Sequence, residues 1–436
     1  MTPPRTSRTP VPTRGPRPAA VACLTLTLLS ACGGTADKLL SVTTPSRLGQ
    51  DAYLVPQNAA LISASAAADF ECALGGYVVS SGLTAGELAD ATQTAARWSL
   101  DRRDFLTSDA LYSTATCVGL GTYTPISTAR FTADQAYTYL NGWTDAQVPS
   151  NRQRLVATAA LYAGYSLVLL GEGFCSAALS GGPELTSAQL LDTAQARFTT
   201  ALAAAQAVPA SDTLARTVIN AAHVGRARAR LDRGDNTGAA ADAALVPSGF
   251  VLNAGADATT GRRNNRVVAE NNTARNVTVA VPYRGVTEQG QADPRVSVAD
   301  SSQRVLSDQV NRWYVQQKYA ALTTPIPIAT YVEAQLILAE ATGGAQGVTI
   351  LNALRARRGV GLPPLTAAEA AALPSTVLEE RRRELFLQGN RLYDIRRANL
   401  ALVPAPGTTY PKGGQYAAQT CYPLPDVERA ANPNIH

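Results

Sequence analysis

The chain has 436 residues, of which 46% are hydrophobic and 16% are charged, and its formal net charge at pH 7 is only +5. This composition predicts a globular protein, and the length exceeds what one core usually supports, so two lobes or an extended superhelix are expected. Four of the arginines belong to a predicted export signal, and its removal lowers the charge from +5 to about +1. A near-neutral protein gives no electrostatic basis for binding nucleic acid or an anionic membrane surface.

Residues 1–31 have the features of an export signal. Four arginines and no acidic residue precede an apolar run from Ala19 to Leu29, which is far shorter than the ~20 residues of a membrane-spanning helix. The run ends in Leu-Ser-Ala-Cys, which resembles the lipobox of bacterial lipoproteins and predicts lipidation of Cys32. An ordinary secretory signal with a chance cysteine is the alternative. Residues 32–55 are then a lipidated N-terminus and tether.

Four cysteines follow Cys32, namely Cys72, Cys117, Cys175 and Cys421. An even number in an exported chain predicts two disulfides, for which three connectivities are open. We favour Cys72 with Cys117, which closes a short loop, and Cys175 with Cys421, which ties down the tail. Free buried thiols are the alternative. The spacing contains no CxxC, so no metal site is predicted.

Residues 56–250 have a helical pattern with alanine-rich segments and polar connectors. The predicted helices are Gln57–Ser80, Thr128–Trp143, Asn151–Leu170, Ser187–Val208, Leu214–Arg233 and Asn236–Leu245. The last two flank a Gly-Asp turn, and small residues such as Ala239 and Ala243 suit close helix contact. This arrangement resembles one tetratricopeptide unit, so the region is interpreted as a series of helical hairpins.

Residues 251–436 are predicted to contain both irregular and helical segments. The helical period fails over 251–324, where short apolar alternations indicate loops and minor strands, and it returns over 325–400. The predicted helices there are Thr330–Thr342, Val348–Arg358, Ala367–Ala372, Thr376–Gln388 and Asn390–Ala398. The tail over 401–436 is proline-rich and is predicted to be irregular.

Residues Leu378–Arg397 read LEERRRELFLQGNRLYDIRR. This segment resembles the motif of the SusD/RagB family, in which an acidic-basic helix is followed by glycine, arginine, aspartate and a closing arginine. The matching residues are Glu380, Arg381, Glu384, Leu385, Gly389, Arg391, Asp394 and Arg397. Gln388 replaces the usual glutamate before the glycine. Oppositely charged residues at helical spacing predict a structural ion-pair network rather than a ligand site, and Gly389 suits a left-handed helix end.

Four other segments resemble the family in the expected order. They are Asp293-Pro294-Arg295, the helix Tyr331–Ala341 with its two glutamates, the segment Leu351–Arg355 and the closing YPLPDVERAANPN. The resemblance is specific over residues 293–434, whereas the N-terminal half agrees with the family only in its predicted pattern of helical hairpins.

The resemblance implies an all-α, SusD-like fold with tetratricopeptide-type hairpins packed against an irregular C-terminal lobe with minor strands. It also implies an outer-membrane lipoprotein that is anchored through the acylated Cys32 and faces the cell exterior. Such a protein captures oligosaccharide or peptide nutrients and delivers them to a SusC-like TonB-dependent transporter.

The sequence signatures of common enzymes are missing: the chain has no HExxH, no GxSxG and no phosphate-binding glycine loop. We therefore predict a binding protein that is not an enzyme and needs no cofactor. Two alternatives stay open. One is a polysaccharide hydrolase or lyase on a helical scaffold, which needs only two carboxylates about 5–9.5 Å apart. The other is a tetratricopeptide-type adaptor that docks protein segments.

Sugar binding usually combines aromatic faces with neighbouring polar groups that fix hydroxyls. Trp98 is the first candidate, because it lies in a polar, loop-like stretch beside Arg97, Asp101 and Arg102. The further candidates are Trp313, Tyr314 and Tyr283 in the irregular region. Burial in the core is the alternative for each of these aromatic residues.

Overall fold

The computed structural model describes residues 53–149, 151–304 and 307–435. The predicted signal, the lipobox and Cys32 lie outside the described residues. The helices are α1 (Ala59–Thr84), α2 (Ala95–Arg102), α3 (Ala110–Ser113), α4 (Tyr123–Gly142), α5 (Arg152–Gly173), α6 (Ser187–Gln206), α7 (Thr213–Asp232), α8 (Asn236–Ala243), α9 (Tyr331–Thr342), α10 (Gly344–Ala356), α11 (Ala367–Ala371), α12 (Leu373–Glu384), α13 (Arg391–Arg397) and α14 (Asp426–Ala431).

The strands are short and occur as antiparallel pairs. They are β1 (Leu88–Asp90), β2 (Ser176–Ala178), β3 (Glu184–Thr186), β4 (Val251–Asn253), β5 (Val277–Val279), β6 (Thr287–Glu288), β7 (Gln291–Ala292), β8 (Val298–Arg304), β9 (Arg312–Gln316) and β10 (Pro327–Thr330). The pairs are β1–β5, β2–β3, β4–β10, β6–β7 and β8–β9. Long helices with minor strands confirm the predicted all-α, SusD-like class.

Helix α5 is the centre of the helical part. It packs against α1, α4, α6 and α7, and almost every residue from Leu155 to Gly173 is buried. It is also long and apolar enough to span a membrane by length and composition, but 94% of its most apolar window is buried inside the protein. An apolar helix that is enclosed on all sides serves as the core to which its neighbours pack.

Two glycines allow α5, α6 and α7 to approach closely. A Cβ atom at Gly164 of α5 would lie 2.7 Å from the ring of Phe198 in α6, and one at Gly225 of α7 would overlap the same ring. Phe198 is fully buried. The ring therefore fills the space that the two missing side chains leave, and it fixes the spacing of three helices.

The helix ends follow local capping chemistry. Thr186 and Gln189 form a capping box at the start of α6, and Asp212 accepts hydrogen bonds from the amides of Leu214 and Ala215 at the start of α7, both at 3.0 Å. These caps satisfy amides that have no partner within the helix. They also explain why the predicted starts of α6 and α7 agree with the observed ones to within one residue, whereas α4 begins at Tyr123, five residues before its predicted start.

Residues 54–436 form one compact unit, although the chain length predicted two lobes or a superhelix. The N- and C-terminal halves are joined by a strand pair, since β1 follows α1 but pairs with β5; β4 and β10 pair within residues 251–436. The C-terminal tail also packs against the first half, where Tyr422 is fully buried beside Phe105 and Phe174. The tail contains α14, which the sequence did not predict.

The structure contains the disulfides Cys72–Cys117 and Cys175–Cys421, with Cα–Cα distances of 5.7 and 5.1 Å. This is the pairing that the loop lengths favoured. The first bond joins α1 to the turn before α4, and the second joins the segment after α5 to the tail. Such cross-links restrict the unfolded chain, and the effect grows with the length of the closed loop.

Candidate functional site

The segment that carries the family resemblance forms a buried network of ion pairs. Glu380 of α12 is 2% exposed. It accepts hydrogen bonds from Arg355 of α10 at 3.0 Å and from Arg295 at 2.5 Å. Arg355 also pairs with Glu288 at 2.5 Å. Three of the segments that resemble the family are distant from one another in sequence, and the carboxylate of Glu380 joins them.

Glu384, one turn further along α12, extends this network. It pairs with Arg357 at 2.5 Å and with Arg295 at 3.3 Å. Arg383 pairs with Glu288 at 2.5 Å and with Asp293 at 3.1 Å. Because these side chains satisfy one another inside the protein, they stabilise the packing of α12 and leave little capacity for a ligand.

A second part of the network joins α12 to α13. Arg381 pairs with Asp394 at 3.0 Å, and Arg397 pairs with Asp394 at 2.7 Å and with Glu340 at 2.5 Å. Burial alone would raise the pKa of Asp394, but the two guanidinium groups hold that pKa down at about 2. The turn between the helices has Gly389 at φ +87°, the left-handed conformation expected for this glycine.

Arg391 has a different environment from the other motif residues. It acts on the carboxyl group of Glu87, which follows α1 and is 1% exposed. Burial raises the pKa of Glu87 to about 7, against the opposing effects of a hydrogen bond from the Leu387 amide and of the charge of Arg391. Arg391 therefore links the motif electrostatically to the N-terminal half rather than to α12.

A further buried ion pair was not predicted from the sequence. Arg228 of α7 pairs with Glu172 of α5 and, at 3.4 Å, with Glu333 of α9. Burial would lower the pKa of Arg228, but the two carboxylates raise it well above its ordinary value. Glu333 was recognised as a family residue, whereas the arginine within an alanine-rich helix carried no signal of its partner.

Trp98, the first ligand candidate, lies on a helix. The stretch that was interpreted as a polar loop forms α2, in which Leu100 is fully buried while the indole of Trp98 is half-buried. The indole Nε1 donates to the carbonyl oxygen of Thr92 at 3.0 Å. The Nζ atom of Lys412 lies 5.5 Å from the centre of the Trp98 ring system, and Tyr410 lies 6.3 Å away. The ring is thus held in place with part of its surface in contact with solvent.

The charges around Trp98 are largely neutralised by one another. Arg97 pairs with Asp90 at 3.3 Å and with Glu270 at 3.0 Å. Lys412 pairs with Asp90 at 2.8 Å and with Asp308 at 3.5 Å. A surface with an aromatic ring beside paired charges offers hydrogen-bonding groups without a strong net charge, which suits an uncharged polar ligand.

Two predicted neighbours of Trp98 have structural roles. Asp101 is 5% exposed and accepts hydrogen bonds from the Asp90 amide at 2.8 Å and the Tyr410 hydroxyl at 3.3 Å. Burial raises its pKa to about 7. Its assignment as a ligand contact is therefore wrong, because the carboxyl group faces the protein interior. Arg102 pairs with Asp104 at 2.6 Å at the edge of the same area.

Trp313 lies on β9 and is half-buried like Trp98. Its Nε1 donates to the carbonyl oxygen of Asn271 at 2.9 Å, and the guanidinium of Arg275 lies 4.0 Å from the ring centre. Asn311 precedes Trp313 by two residues, so the two side chains share one face of the chain. The amide of Asn311 donates to the Asp90 carbonyl at 3.2 Å, which places the Trp313 side of β9 next to the Trp98 region.

Tyr314 and Tyr283 do not join this surface. Tyr314 follows Trp313 in the strand and so points to the opposite face, where Arg284 lies 3.9 Å from its ring. Tyr283 is 2% exposed and stacks on Phe386 at 4.7 Å. The assignment of Tyr283 as a ligand platform is wrong, because packing in the core covers its ring.

Arg97, Lys412 and Asn311 all bind Asp90 beside Trp98, and Trp313, with Arg275 against its ring, lies two residues after Asn311; we call these six residues the Trp98–Trp313 surface. Sequence reasoning found three of them and missed Lys412, Asn311 and Arg275. No group of three or more His, Cys, Asp or Glu side chains suited to a metal ion occurs among the described residues. Of the two histidines, His223 binds Asp242 in the core at 2.9 Å.

Comparisons with known proteins agree with the fold. Residues 328–434 match the model of the SusD family. A search of proteins with curated functions finds no significant match. A SusD superfamily protein from Bacteroides vulgatus superposes with a TM-score of 0.68 at 15% identity, over 87% of this chain and 98% of that one.

Two other similar structures have names that refer to ligands. A SusD-like carbohydrate-binding protein from Bacteroides vulgatus has a TM-score of 0.65 at 16% identity, covering 87% of this chain and 97% of its own. A laminarin-binding SusD-like protein has a TM-score of 0.62 at 15% identity, covering 86% and 98%. The family match lies on four of the five segments that carry the sequence resemblance, and the shared fold extends over most of the chain. The chain thus has a SusD-like fold and a region that matches the SusD family at residues 328–434.

Proposed function

We propose that this protein is a cell-envelope lipoprotein that captures oligosaccharides on the Trp98–Trp313 surface. The observation that carries the proposal is the pair of half-buried tryptophans whose indole N–H groups are fixed by Thr92 and Asn271. A fixed aromatic ring offers apolar surface to a sugar without further loss of conformational freedom. Among the proteins with a similar fold, one is named for carbohydrate binding and another for laminarin binding.

The polar groups of the same surface supply the hydrogen bonds that a sugar needs. Arg97 and Lys412 are held by carboxylates, so their positions are set before a ligand arrives. Groups with fixed positions lose little entropy on binding. The near balance of charge favours a neutral oligosaccharide over a strongly acidic one.

Delivery to a transporter is the second part of the proposal. We infer that Cys32 carries the lipid, that the protein is anchored in the outer membrane facing outward, and that it passes its ligand to a SusC-like TonB-dependent transporter. The family match supports this role. Weak binding is sufficient when the transporter lies next to the captured ligand, because tethering raises the effective concentration.

Calorimetric titration tests the capture of sugars. Purified protein should bind one of a panel of soluble glycans that includes laminarin, and both Trp98→Ala and Trp313→Ala should reduce that affinity by about tenfold or more. Trp143→Ala is the matched control, because Trp143 is half-buried at the end of α4 and stacks on Tyr139 at 6.3 Å. If no glycan binds, or if the control reduces affinity as strongly, the proposed site is wrong.

The same samples test the alternatives. Release of new reducing ends or unsaturated products from a glycan would contradict binding without catalysis. Affinity for peptides in the absence of affinity for sugars would favour the adaptor. Labelling of the protein by radioactive palmitate, and its loss in Cys32→Ser, tests the lipid anchor. Copurification of a TonB-dependent transporter tests the partner.

A further inference from the structure

A large cleft lies apart from the Trp98–Trp313 surface. It has a volume of about 830 Å3, and none of the six residues that define that surface lines it. Its walls come from the turn before β4, the start of α9, the end of α10 and the end of α12. The volume lies within the roughly 300–1,000 Å3 typical of pockets for small molecules.

One wall of the cleft is apolar. Its side chains are Val251, Val332, Ile350, Leu354, Val360 and Leu385. Leu354 and Leu385 are buried in the core that α9, α10 and α12 share, whereas Val251 is 49% exposed. A small apolar ligand would cover the exposed part of this wall. Removal of that apolar surface from water would make the free energy of binding more favourable.

The charged residues of the cleft have an excess of positive charge. Arg295 is neutralised by Asp293 and Glu380, and Arg357 is neutralised by Glu384. Lys318 donates to the carbonyl oxygens of Glu384 at 3.0 Å and Phe386 at 2.7 Å, but it forms no ion pair with any described residue.

Arg358 is the second cation that lacks a carboxylate. It lies just after α10 on the rim, is exposed to solvent and has no ion pair within the described part of the chain. Lys318 and Arg358 thus form no ion pair with any described residue, although the charges of Glu384 and Glu87 act on Lys318 from a greater distance; a bound anion would add a direct counterion for both.

The N-terminus of α9 adds a third favourable feature for an anion. The Thr330 side chain accepts from the Glu333 amide at 2.9 Å, and the Tyr331 amide donates to the carbonyl of Phe250 at 2.8 Å. Val332, the second residue of α9, lines the cleft. The partial positive charge of the helix end favours a negative group.

We propose that this cleft binds a small amphipathic carboxylate, with its negative group near Lys318, Arg358 and the α9 N-terminus and its apolar body on the valine-rich wall. The free C-terminus of a short apolar peptide and a fatty acid share this chemistry. The site is independent of the glycan surface, so the protein would bind two chemically different ligands.

Isothermal titration at pH 7 and low salt tests the proposal with three probes: a short apolar peptide with a free carboxylate, the same peptide as its C-terminal amide, and decanoate. The free acid should bind at least about tenfold more tightly than the amide, because the amide lacks the charge. Binding of decanoate but not of the peptide supports the carboxylate chemistry and assigns the source to a lipid. Absence of binding by both acids, or equal affinity for acid and amide, overturns the proposal.

Variants locate the binding site. Arg358→Gln should weaken binding of the acid by about tenfold, and Ala353→Phe, at an exposed lining position on α10, should block the cleft. Arg216→Gln is the control, because it removes the same charge from an exposed position on α7 that does not line the cleft. Trp98→Ala should leave acid binding unchanged. If Ala353→Phe binds the acid as the unaltered protein does, the ligand is elsewhere and the proposal fails.

Discussion

Asn311 donates its side-chain amide to the backbone carbonyl oxygen of Asp90, 3.2 Å away. The two residues are 221 positions apart in the chain, yet this bond places the strand that carries Trp313 beside the segment that leads to Trp98. Asn311 also donates to Asp308 at 2.7 Å, and Asp308 is a partner of Lys412. This amide group is thus one of the contacts that set the positions of the two tryptophans, together with the pairing of β1 with β5.

Asn311→Ala should therefore reduce glycan affinity without unfolding the protein. We expect a loss of about fivefold to tenfold in affinity and of about 1 kcal/mol in unfolding free energy, the usual contribution of such hydrogen bonds. Calorimetry and urea unfolding measure the two effects. Asn432→Ala removes a similar amide–carbonyl bond, to Gly182 at 2.8 Å, and should lower stability alone. Equal affinities in the two variants would contradict a positioning role for Asn311.

Arg355 tests whether the family motif has a structural role. It is fully buried and binds Glu380, Glu288 and the carbonyl of Pro363. Arg355→Met removes one of the two arginine partners of each carboxylate, since Glu380 keeps Arg295 and Glu288 keeps Arg383. The loss should cost up to about 3–5 kcal/mol of unfolding free energy. The measurement is the midpoint of urea unfolding.

The control for Arg355 is an exposed ion pair. Arg233 and Asp192 are 2.8 Å apart, with side chains 37% and 55% exposed, and Arg233→Gln should cost less than about 1 kcal/mol. If Arg355→Met were as stable as this control and had lost glycan binding, the motif would be a ligand site and our interpretation would be wrong.

The long helices could be predicted from the sequence because their apolar period and caps are local features. Helix α6, for example, begins at Ser187 as expected. Helix α2 could not be predicted in this way, since it has only eight residues and its charged residues hide the period. Its stability comes from contacts that are distant in sequence, such as the bond from Tyr410 to Asp101.

The candidate site was predictable only in part, for a similar reason. Trp98 and Trp313 were chosen by residue type and local polarity, and both are half-buried with their indole N–H groups bonded to backbone carbonyls. Lys412 is more than 300 residues from Trp98, and only its rarity as one of three lysines in the chain could have drawn attention to it. Tyr283 has polar neighbours in sequence but packs on Phe386, which no local pattern reveals.

Gly225 should be intolerant of any side chain. In Gly225→Ala the new Cβ would overlap the Phe198 ring, and relief requires movement of α7 away from α6. Overpacking of this kind typically costs about 1–3 kcal/mol. Gly142→Ala is the matched control, because a Cβ there meets nothing within 4 Å, and it should be neutral or slightly stabilising. Thermal unfolding compares the two variants, and similar melting temperatures would contradict the close contact of α6 and α7.

Glu87 should make stability depend on pH between about 4.5 and 7. Burial raises the pKa of its carboxyl from the ordinary value of 4.5 to about 7, so the folded protein retains a proton that the unfolded chain releases. The stability that this proton contributes is fully present below pH 4.5 and is lost as pH rises through 7. A shift of this size corresponds to at most about 3 kcal/mol.

Glu87→Gln isolates this contribution, because glutamine resembles the protonated carboxyl and can still accept the hydrogen bond from the Leu387 amide. Asp101 has a similarly raised pKa but is unchanged in the variant, so its effect cancels in the comparison. We expect Glu87→Gln and the unaltered protein to have similar urea midpoints at pH 4.5, and the variant to be more stable at pH 8. A difference that stays constant between these pH values would show that Glu87 is ionised throughout and that Arg391 and Lys318 compensate fully for its burial.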